Sequence, residues 1–347
     1  MNNIENTVLL LQQLVVEGRE NNELLPIAKQ IVEDLSAEET ETDFIQDISE
    51  YFPRLKWRID GTEKMDVIPT GFKDIDNRVY GVAKWNIMTI AARTGWWKTT
   101  LWLNMAVNMT EKYRVGFISL EMTKDEILDK IISQVCRVKL SSLTINRFSQ
   151  YDIQNIKENG QKAMAVANKI TFAFDCFHID DLTTVMSQMA DLWVEVVFID
   201  WLGLIEARGQ NKPEQMREIM AKIKQVALSK NMAVVAMQQL WRQVDWDDPK
   251  GPFMRDIADG SAIEKVSSPV LIMWRSWDED KTTDIRLFKM RRLNSDLLDK
   301  FYNSKSIADP RYDFANLKLG EDLTYCQFTN YWKDLIPNEV IEWMRPF

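Results

Sequence analysis

The sequence predicts an α/β protein: a mostly parallel sheet covered by helices on both faces, preceded by a short all-helical region. Three observations predict it. From residue 86 onward, short runs of apolar residues alternate with longer stretches of helical periodicity, and strands that read as continuously apolar belong to sheets buried on both sides. The first 50 residues carry apolar positions at helical spacing and no strand pattern. A chain of 347 residues, 46% of them hydrophobic, is ample for a full core.

Residues 4–20 and 24–36 each present an apolar face; in the second, Leu25, Ile27, Ala28, Ile31, Val32 and Leu35 follow the i, i+3, i+4, i+7 rule. The charged stretch SAEETET interrupts the pattern, and a third helix over 42–52 gathers Phe44, Ile45, Ile48 and Tyr51 on one side. Helices this short are marginal alone and need a surface to dock on. A linker, RIDGTEKMDVIPTGFKDID, leads into the main body. Strands are expected at 86–92, 115–120, 170–175, 194–200, 232–238, 269–275 and 284–290, and helices at 98–111, 123–136, 152–167, 181–192 and 212–230. The second of these helices opens with Thr123 and Glu126 as a capping box. The chain divides into a helical region 1–55, a linker 56–68, an α/β domain 69–299 and a C-terminal extension 300–347 containing Trp332 and Trp343.

The net charge of −9 would argue against a nucleic-acid partner if it were spread evenly. It is not: residues 1–50 hold twelve acidic residues against Arg19 and Lys29, which leaves the main body close to neutral and free to carry basic loops. Three cysteines and one histidine exclude a disulfide framework and argue against a Cys/His metal site. Cys176 and His178 are expected around a strand end, in or near the core. No run approaches the ~18 apolar residues of a membrane span, and the start lacks a basic signal-peptide head, so the expectation is a soluble, cytoplasmic protein.

The chemistry concentrates in IMTIAARTGWWKTTLWLN, residues 87–104. An apolar strand runs into a small-residue turn and then Lys-Thr-Thr opens a helix, the layout of a phosphate-binding loop spanning Ala92, Arg93, Thr94, Gly95, Trp96, Trp97, Lys98, Thr99 and Thr100. Such loops aim backbone N–H groups and a helix N-terminus at phosphates; the lysine neutralises charge and the next hydroxyl ligates Mg2+. The bland reading is a chance Lys-Thr-Thr at a helix start. Three further strand ends carry suitable groups: Glu121 in FISLEM, Asp200 closing VEVVFID, and Gln238 with Gln239 in AMQQLWR. Ligands of open parallel sheets bind beyond the carboxyl ends of strands, although polar residues often cap strands for no other reason.

Taken in order, PTGFKDID (69–76), AARTGWWKTTLWLN (91–104), FISLEM (117–122), VVFIDWLGLI (196–205), AMQQLWR (236–242), DIADGSAIEKVSSPVLIMWR (256–275) and FKMRR (288–292) resemble the DnaB-like replicative DNA helicases of bacteria and phages. The resemblance covers roughly residues 65–292 and implies a RecA-like P-loop NTPase core, with ATP and Mg2+ between the subunits of a homohexameric ring and single-stranded DNA in its channel. It implies that Lys98 holds the β- and γ-phosphates, Thr99 and Asp200 serve the magnesium, Glu121 orients the attacking water and Gln239 reports the γ-phosphate. Lys289 and Arg291 match a strand that reaches the neighbouring subunit's nucleotide. The family's DNA-facing loops correspond to segments holding Arg208, Lys212 and Arg217, then Arg242, Lys250, Arg255 and Lys265, cations that would bind DNA backbone regardless of sequence. Ordinary solvated loops are the alternative for any one of them.

The sequence departs from the family in three places. Trp97 stands where the family has a glycine before the lysine; about 55 acidic, helical residues replace a larger N-terminal domain that engages primase; and the finger strand runs into LNSDLLDKFYNSKS rather than a glycine-rich turn. The helix at 42–52 matches the position of a linker helix that clips neighbours together. Two readings follow. One is an ATP-driven, ring-shaped 5′-to-3′ DNA helicase, the direction implied by the resemblance; a primase, loader or other replisome protein is the partner expected at the N-terminal region. The other is an ATPase-impaired relative serving as a nucleotide- or DNA-binding assembly component. A strand-exchange or loader ATPase on the same fold fits the PTGFKDID and FKMRR segments less well. The resemblance implies action in a bacterial cytoplasm, and the compact N-terminus and divergent motifs lean towards a phage-encoded source.

Overall fold

The computed structural model describes residues 66–93, 98–241, 252–274, 282–288, 316–322 and 326–330. The helices expected over 4–20, 24–36 and 42–52 lie outside them. Among the described residues, a two-stranded antiparallel ribbon, β1 (Val67–Ile68) with β2 (Val82–Ala83), brackets helix α1 (Lys73–Val79). The main sheet follows, built from β3 (Ile87–Ala92), β4 (Val115–Ser119), β5 (Ile170–Phe174), β6 (Val196–Asp200), β7 (Ala233–Gln239), β8 (Val270–Trp274), β9 (Thr282–Phe288), β10 (Asn316–Asp322) and β11 (Gln327–Asn330). Between them lie α2 (Lys98–Met109), α3 (Lys124–Cys136), α4 (Leu140–Thr144), α5 (Gln150–Ala167), α6 (Ile179–Asp191), α7 (Lys212–Ser229) and α8 (Gly260–Val266).

The strand order is β11-β10-β9-β8-β3-β7-β6-β4-β5. Strands β3 to β8 pair in parallel and β9 to β11 close one side antiparallel. The α/β architecture expected from the alternation is therefore present. The central strand β3 reads IMTIAA with all six residues buried, as a strand covered on both faces must. Its alternation sorts the core. Met88, Ile90 and Ala92 join Phe117, Phe198, Val235 and Met237 beneath α2, whereas Ile87 and Ala91 join Ile118, Val197, Val234 and Ala236 against α6 and α7.

Local chemistry accounts for most helix boundaries. Thr123 and Glu126 form the expected capping box at α3, and Ser149 with Asp152 forms a second at α5, so that helix begins two residues earlier than its apolar periodicity indicates. His178 caps α6, its Nδ1 accepting from the Asp180 amide at 3.3 Å. Cys176 is buried and His178 half-buried just past the end of β5, in or near the core as expected. Helices α1, α4 and α8 escaped the periodicity reading because each spans two turns or fewer.

The PTGFKDID segment is a folded turn. Asp76 accepts from the Thr70 amide at 2.7 Å, the Thr70 hydroxyl at 2.8 Å and the Gly71 amide at 3.0 Å. Gly71 sits at φ +80° against α2, where an added Cβ would land on Asn108. Desolvation outweighs the three hydrogen bonds at Asp76 and lifts its carboxyl from the ordinary 3.8 to about 6.

The stretch beyond residue 300 contributes to the same sheet. Strand β10 pairs with β9 from Asn316 opposite Arg286 to Gly320 opposite Thr282. Leu319 is buried in the core beneath α2, and the Cys326 carbonyl accepts from Asn104 Nδ2 of α2 at 2.8 Å. The division at residue 300 thus passes through one sheet.

Candidate active site

Helix α2 starts at Lys98 directly beyond the carboxyl end of β3, with no acidic residue in its first turn. Its free backbone N–H groups and positive dipole end therefore face the carboxyl edge of the sheet, an arrangement that favours an anion. Thr94, Gly95, Trp96 and Trp97 lie outside the described residues, while Arg93, directly after β3, is exposed. The Thr99 hydroxyl donates to Asp200 Oδ2 at 3.4 Å. Asp200 is fully buried at the tip of β6 and is joined to Trp201 by a cis peptide bond. A hydroxyl and a buried carboxylate are hard oxygen donors of the kind that suit Mg2+, so this pair fits a magnesium–nucleotide ligand. Among the described residues there is no cluster of three or more His, Cys, Asp or Glu that could hold a metal by itself.

Strand alternation sets the other tips. Ser119 pairs with Asp200 across β4 and β6. Its hydroxyl donates to the Met122 carbonyl at 2.8 Å and accepts from the Met122 amide at 3.1 Å, closing the turn that leaves Glu121 exposed at the strand end. The Leu120 amide donates to the Asp200 carbonyl at 2.8 Å, which holds the turn to β6. Gln238 and Gln239 part company. Gln238 is fully buried on the α6–α7 face, its Nε2 donating to the Ala258 carbonyl at 2.7 Å. Gln239 shares the strand parity of Val235 and Met237, the α2 face. Of the two glutamines, the one on the face of Thr99 and Asp200 is Gln239.

Two residues that support this edge were not singled out from the sequence. Trp102 of α2 is fully buried and meets Phe117 of β4 and Phe198 of β6 edge-on, with centroids 5.4 and 5.6 Å away. It thereby seats the helix carrying Thr99 on the two strands that end near Glu121 and Asp200. Asn104 donates to the Thr100 carbonyl at 2.7 Å as well as to Cys326. In the sequence both look like ordinary interior positions of an amphipathic helix.

The basic residues separate by edge. Arg208 and Lys212 are exposed in the loop after β6 and at the start of α7, and Arg217 lies a turn further along, its Nε donating to the Pro213 carbonyl at 3.3 Å. Arg255 is exposed after β7, with its guanidinium 5.3 Å from the Phe253 ring. Lys265 stands apart from these. It lies in the last turn of α8, two residues before Ser267, whose hydroxyl meets Thr89 Oγ1 at 2.7 Å, and Ser268, whose amide donates to the Ile87 carbonyl at 2.8 Å. That is the amino edge of β3. Arg242, Lys250, Lys289 and Arg291 lie outside the described residues.

A family model described as "DnaB-like helicase C terminal domain" matches residues 67–305, and the chain belongs to that family. It is 31% identical over 218 residues to a "Probable plasmid replicative DNA helicase" of Chlamydia trachomatis, covering 60% of this chain and 47% of the relative. It is 28% identical over 224 residues to a "Replicative DNA helicase DnaB" of Helicobacter pylori strain J99, covering 62% and 46%. The chain thus spans about half the length of the curated relatives it matches. A solved structure described as an ATPase domain superimposes with a TM-score of 0.69 at 21% identity, covering 82% of this chain and 99% of that one. A second, "The Structure Of A DnaB-Like Replicative Helicase And Its Interactions With Primase", gives 0.67 at 20%, covering 94% and 76%. At these identities the superpositions establish the fold, a RecA-like core.

Proposed function

We propose that the chain is a replicative DNA helicase subunit that couples ATP hydrolysis to movement along single-stranded DNA. One observation carries the reading: Thr99 at the start of α2 lies 3.4 Å from the buried Asp200 of β6, in a chain whose family is that of the DnaB-like helicases. In this reading Lys98 and the α2 N-terminus bind the β- and γ-phosphates, and Thr99 with Asp200 holds Mg2+. Glu121 accepts the proton of, and orients, an attacking water, and Gln239 hydrogen-bonds the γ-phosphate. The bound Mg2+ supplies charge neutralisation on the phosphate oxygens. Lys289 and Arg291 reach a neighbour's nucleotide, where a trans-acting arginine supplies roughly 10³–10⁵ in rate.

The reading includes a ring, a homohexamer, in which neighbouring subunits share that site. Arg208, Lys212, Arg217 and Arg255, joined by Arg242 and Lys250, are the DNA-facing cations, and Lys265, in the last turn of α8, stands apart from them. We further propose cytoplasmic action in a bacterial cell, with a primase or loader engaged through the region 1–55 ahead of the linker 56–68 and the ATPase domain. Among the described residues no helix is long and apolar enough to cross a membrane.

The decisive experiment measures ATP hydrolysis by the purified chain with and without single-stranded DNA, alongside Glu121→Gln and Trp97→Gly. DNA-stimulated turnover abolished in Glu121→Gln is the expected result. No turnover in the parent but recovery in Trp97→Gly would replace the motor by an assembly role with a closed phosphate cradle.

A further inference from the structure

The sheet has a second polar edge, opposite the nucleotide site. Because β3 to β7 run in parallel, the residues preceding each strand gather at one end of the sheet. They are basic with unusual regularity: Lys84 before β3, Lys112 and Arg114 before β4, Lys169 before β5 and Lys230 before β7. Together they line an open cavity of about 750 Å³.

Its remaining wall includes Trp193, which precedes β6 and is 79% exposed. This tryptophan is in an unusual place. Helix α6 closes with a Schellman motif, the Val194 amide donating to the Met189 carbonyl at 3.0 Å and the Trp193 amide to the Ala190 carbonyl at 2.9 Å. Trp193 occupies the left-handed position of that motif at φ +65°, where glycine is the residue the backbone prefers. A large aromatic held in a disfavoured conformation and left in solvent serves nothing in the core.

Charge at this edge is partly spoken for. Lys84 pairs with Glu195 at 3.1 Å and Lys230 with Asp191 at 3.4 Å. Lys169 turns its ammonium onto the Thr110 carbonyl at 2.9 Å, and Arg114 donates to the Leu192 carbonyl at 3.3 Å. Among the described residues Lys112, Arg114 and Lys169 form no ion pair with a carboxylate, so three such cations line the same cavity as the exposed indole, with Glu111 and the paired Glu195 as its acids. An aromatic platform flanked by cations without carboxylate partners is the recognition chemistry of single-stranded nucleic acid, base on ring and phosphate on cation.

We propose that this amino-edge cavity is a second contact for single-stranded nucleic acid, with a base stacked on Trp193 and adjacent phosphates on Lys112, Arg114 and Lys169. It is separate from the carboxyl-edge cations and does not depend on nucleotide hydrolysis. The test uses the full chain without nucleotide and an oligothymidylate carrying 5-iodouracil, photocrosslinked and mapped by mass spectrometry. An adduct on the peptide containing Trp193 is expected. Trp193→Gly should lose that adduct and weaken oligonucleotide binding about tenfold, with a melting temperature equal to or above the parent's, while Trp193→Phe retains the binding. Lys112→Glu combined with Arg114→Glu should reduce the salt slope of binding by about two. Adducts confined to the carboxyl-edge peptides, or no adduct at all, would overturn the proposal. Turnover is not read in this assay, so an inactive ATPase with the Trp193 adduct would leave this site standing while removing the motor.

Discussion

Replacing Trp102 tests how the nucleotide edge is held together. Trp102 is fully buried, packs edge-to-face on Phe117 and Phe198, and has an indole N–H with no hydrogen-bond partner among the described residues. Trp102→Ala removes a large core side chain, which costs about 3–5 kcal/mol. Part of that is the two aromatic pairs, each contributing about 0.5–1.5 kcal/mol. Against the loss stands the unpartnered donor, whose burial costs about 1–3 kcal/mol and vanishes with the indole. Trp102→Phe keeps a ring against both partners and deletes the same donor, so a small cavity is offset by relief of the N–H. The expected outcome is a loss of about 2 kcal/mol for Trp102→Ala, the cavity cost less the relieved donor, and a change within about 1 kcal/mol for Trp102→Phe, read by denaturant unfolding. Because Trp102 seats the first turn of α2, Trp102→Ala should also weaken nucleotide binding, whereas Trp102→Phe should not. Equal destabilisation by both variants would mean that the indole N–H has a partner, and the reasoning would fail.

Three further perturbations follow from the geometry. Asn104→Leu removes the donor to the Thr100 and Cys326 carbonyls and should cost about 2–3 kcal/mol, with faster amide exchange in β11 as the site-specific readout. Trp193→Gly places the preferred residue in the left-handed position of the α6 terminus and should stabilise the fold by about 1 kcal/mol; a loss of stability would show that the indole packs against the protein. Asp76, with its carboxyl lifted from 3.8 to about 6, binds a proton in the folded state that the unfolded chain has already released. Its contribution is therefore fully present below pH ~4 and lost as pH rises through ~6, by up to about 3 kcal/mol. Parent stability measured against Asp76→Asn should fall across that window, and a flat difference would refute the shift.

How much of this was legible in the sequence depends on which physical signal each residue carries. The central strands announce themselves because burial on both faces demands runs such as IMTIAA and VVFID, and Thr123 with Glu126 marks a helix start by its own hydrogen bonds. Glu121, Asp200 and Gln239 could be named because a parallel sheet brings successive strand ends to one edge. Strand β10 stayed hidden: NLKLGED mixes charge and glycine into its alternation, and its pairing with β9 is a tertiary fact that no local period records.

The residues that were harder to place share one cause. Period tells which face of an element a residue occupies, but its position along the sheet depends on the direction of that element. Gln238 and Gln239 are neighbours in sequence and opposite in face, so register alone separates them. Lys265 follows the site segments in the chain, yet α8 runs back toward the amino edge before β8 begins, and the lysine travels with it. The same reversal assembles the amino-edge cavity. Each helix that returns from the nucleotide edge ends where the next strand starts, so Lys112, Lys169, Trp193 and Lys230, scattered over more than a hundred residues, become neighbours through topology. A parallel sheet wound in one direction therefore gathers polar residues at two edges from one pattern. The carboxyl edge is read from motifs, and the amino edge only from where the helices end.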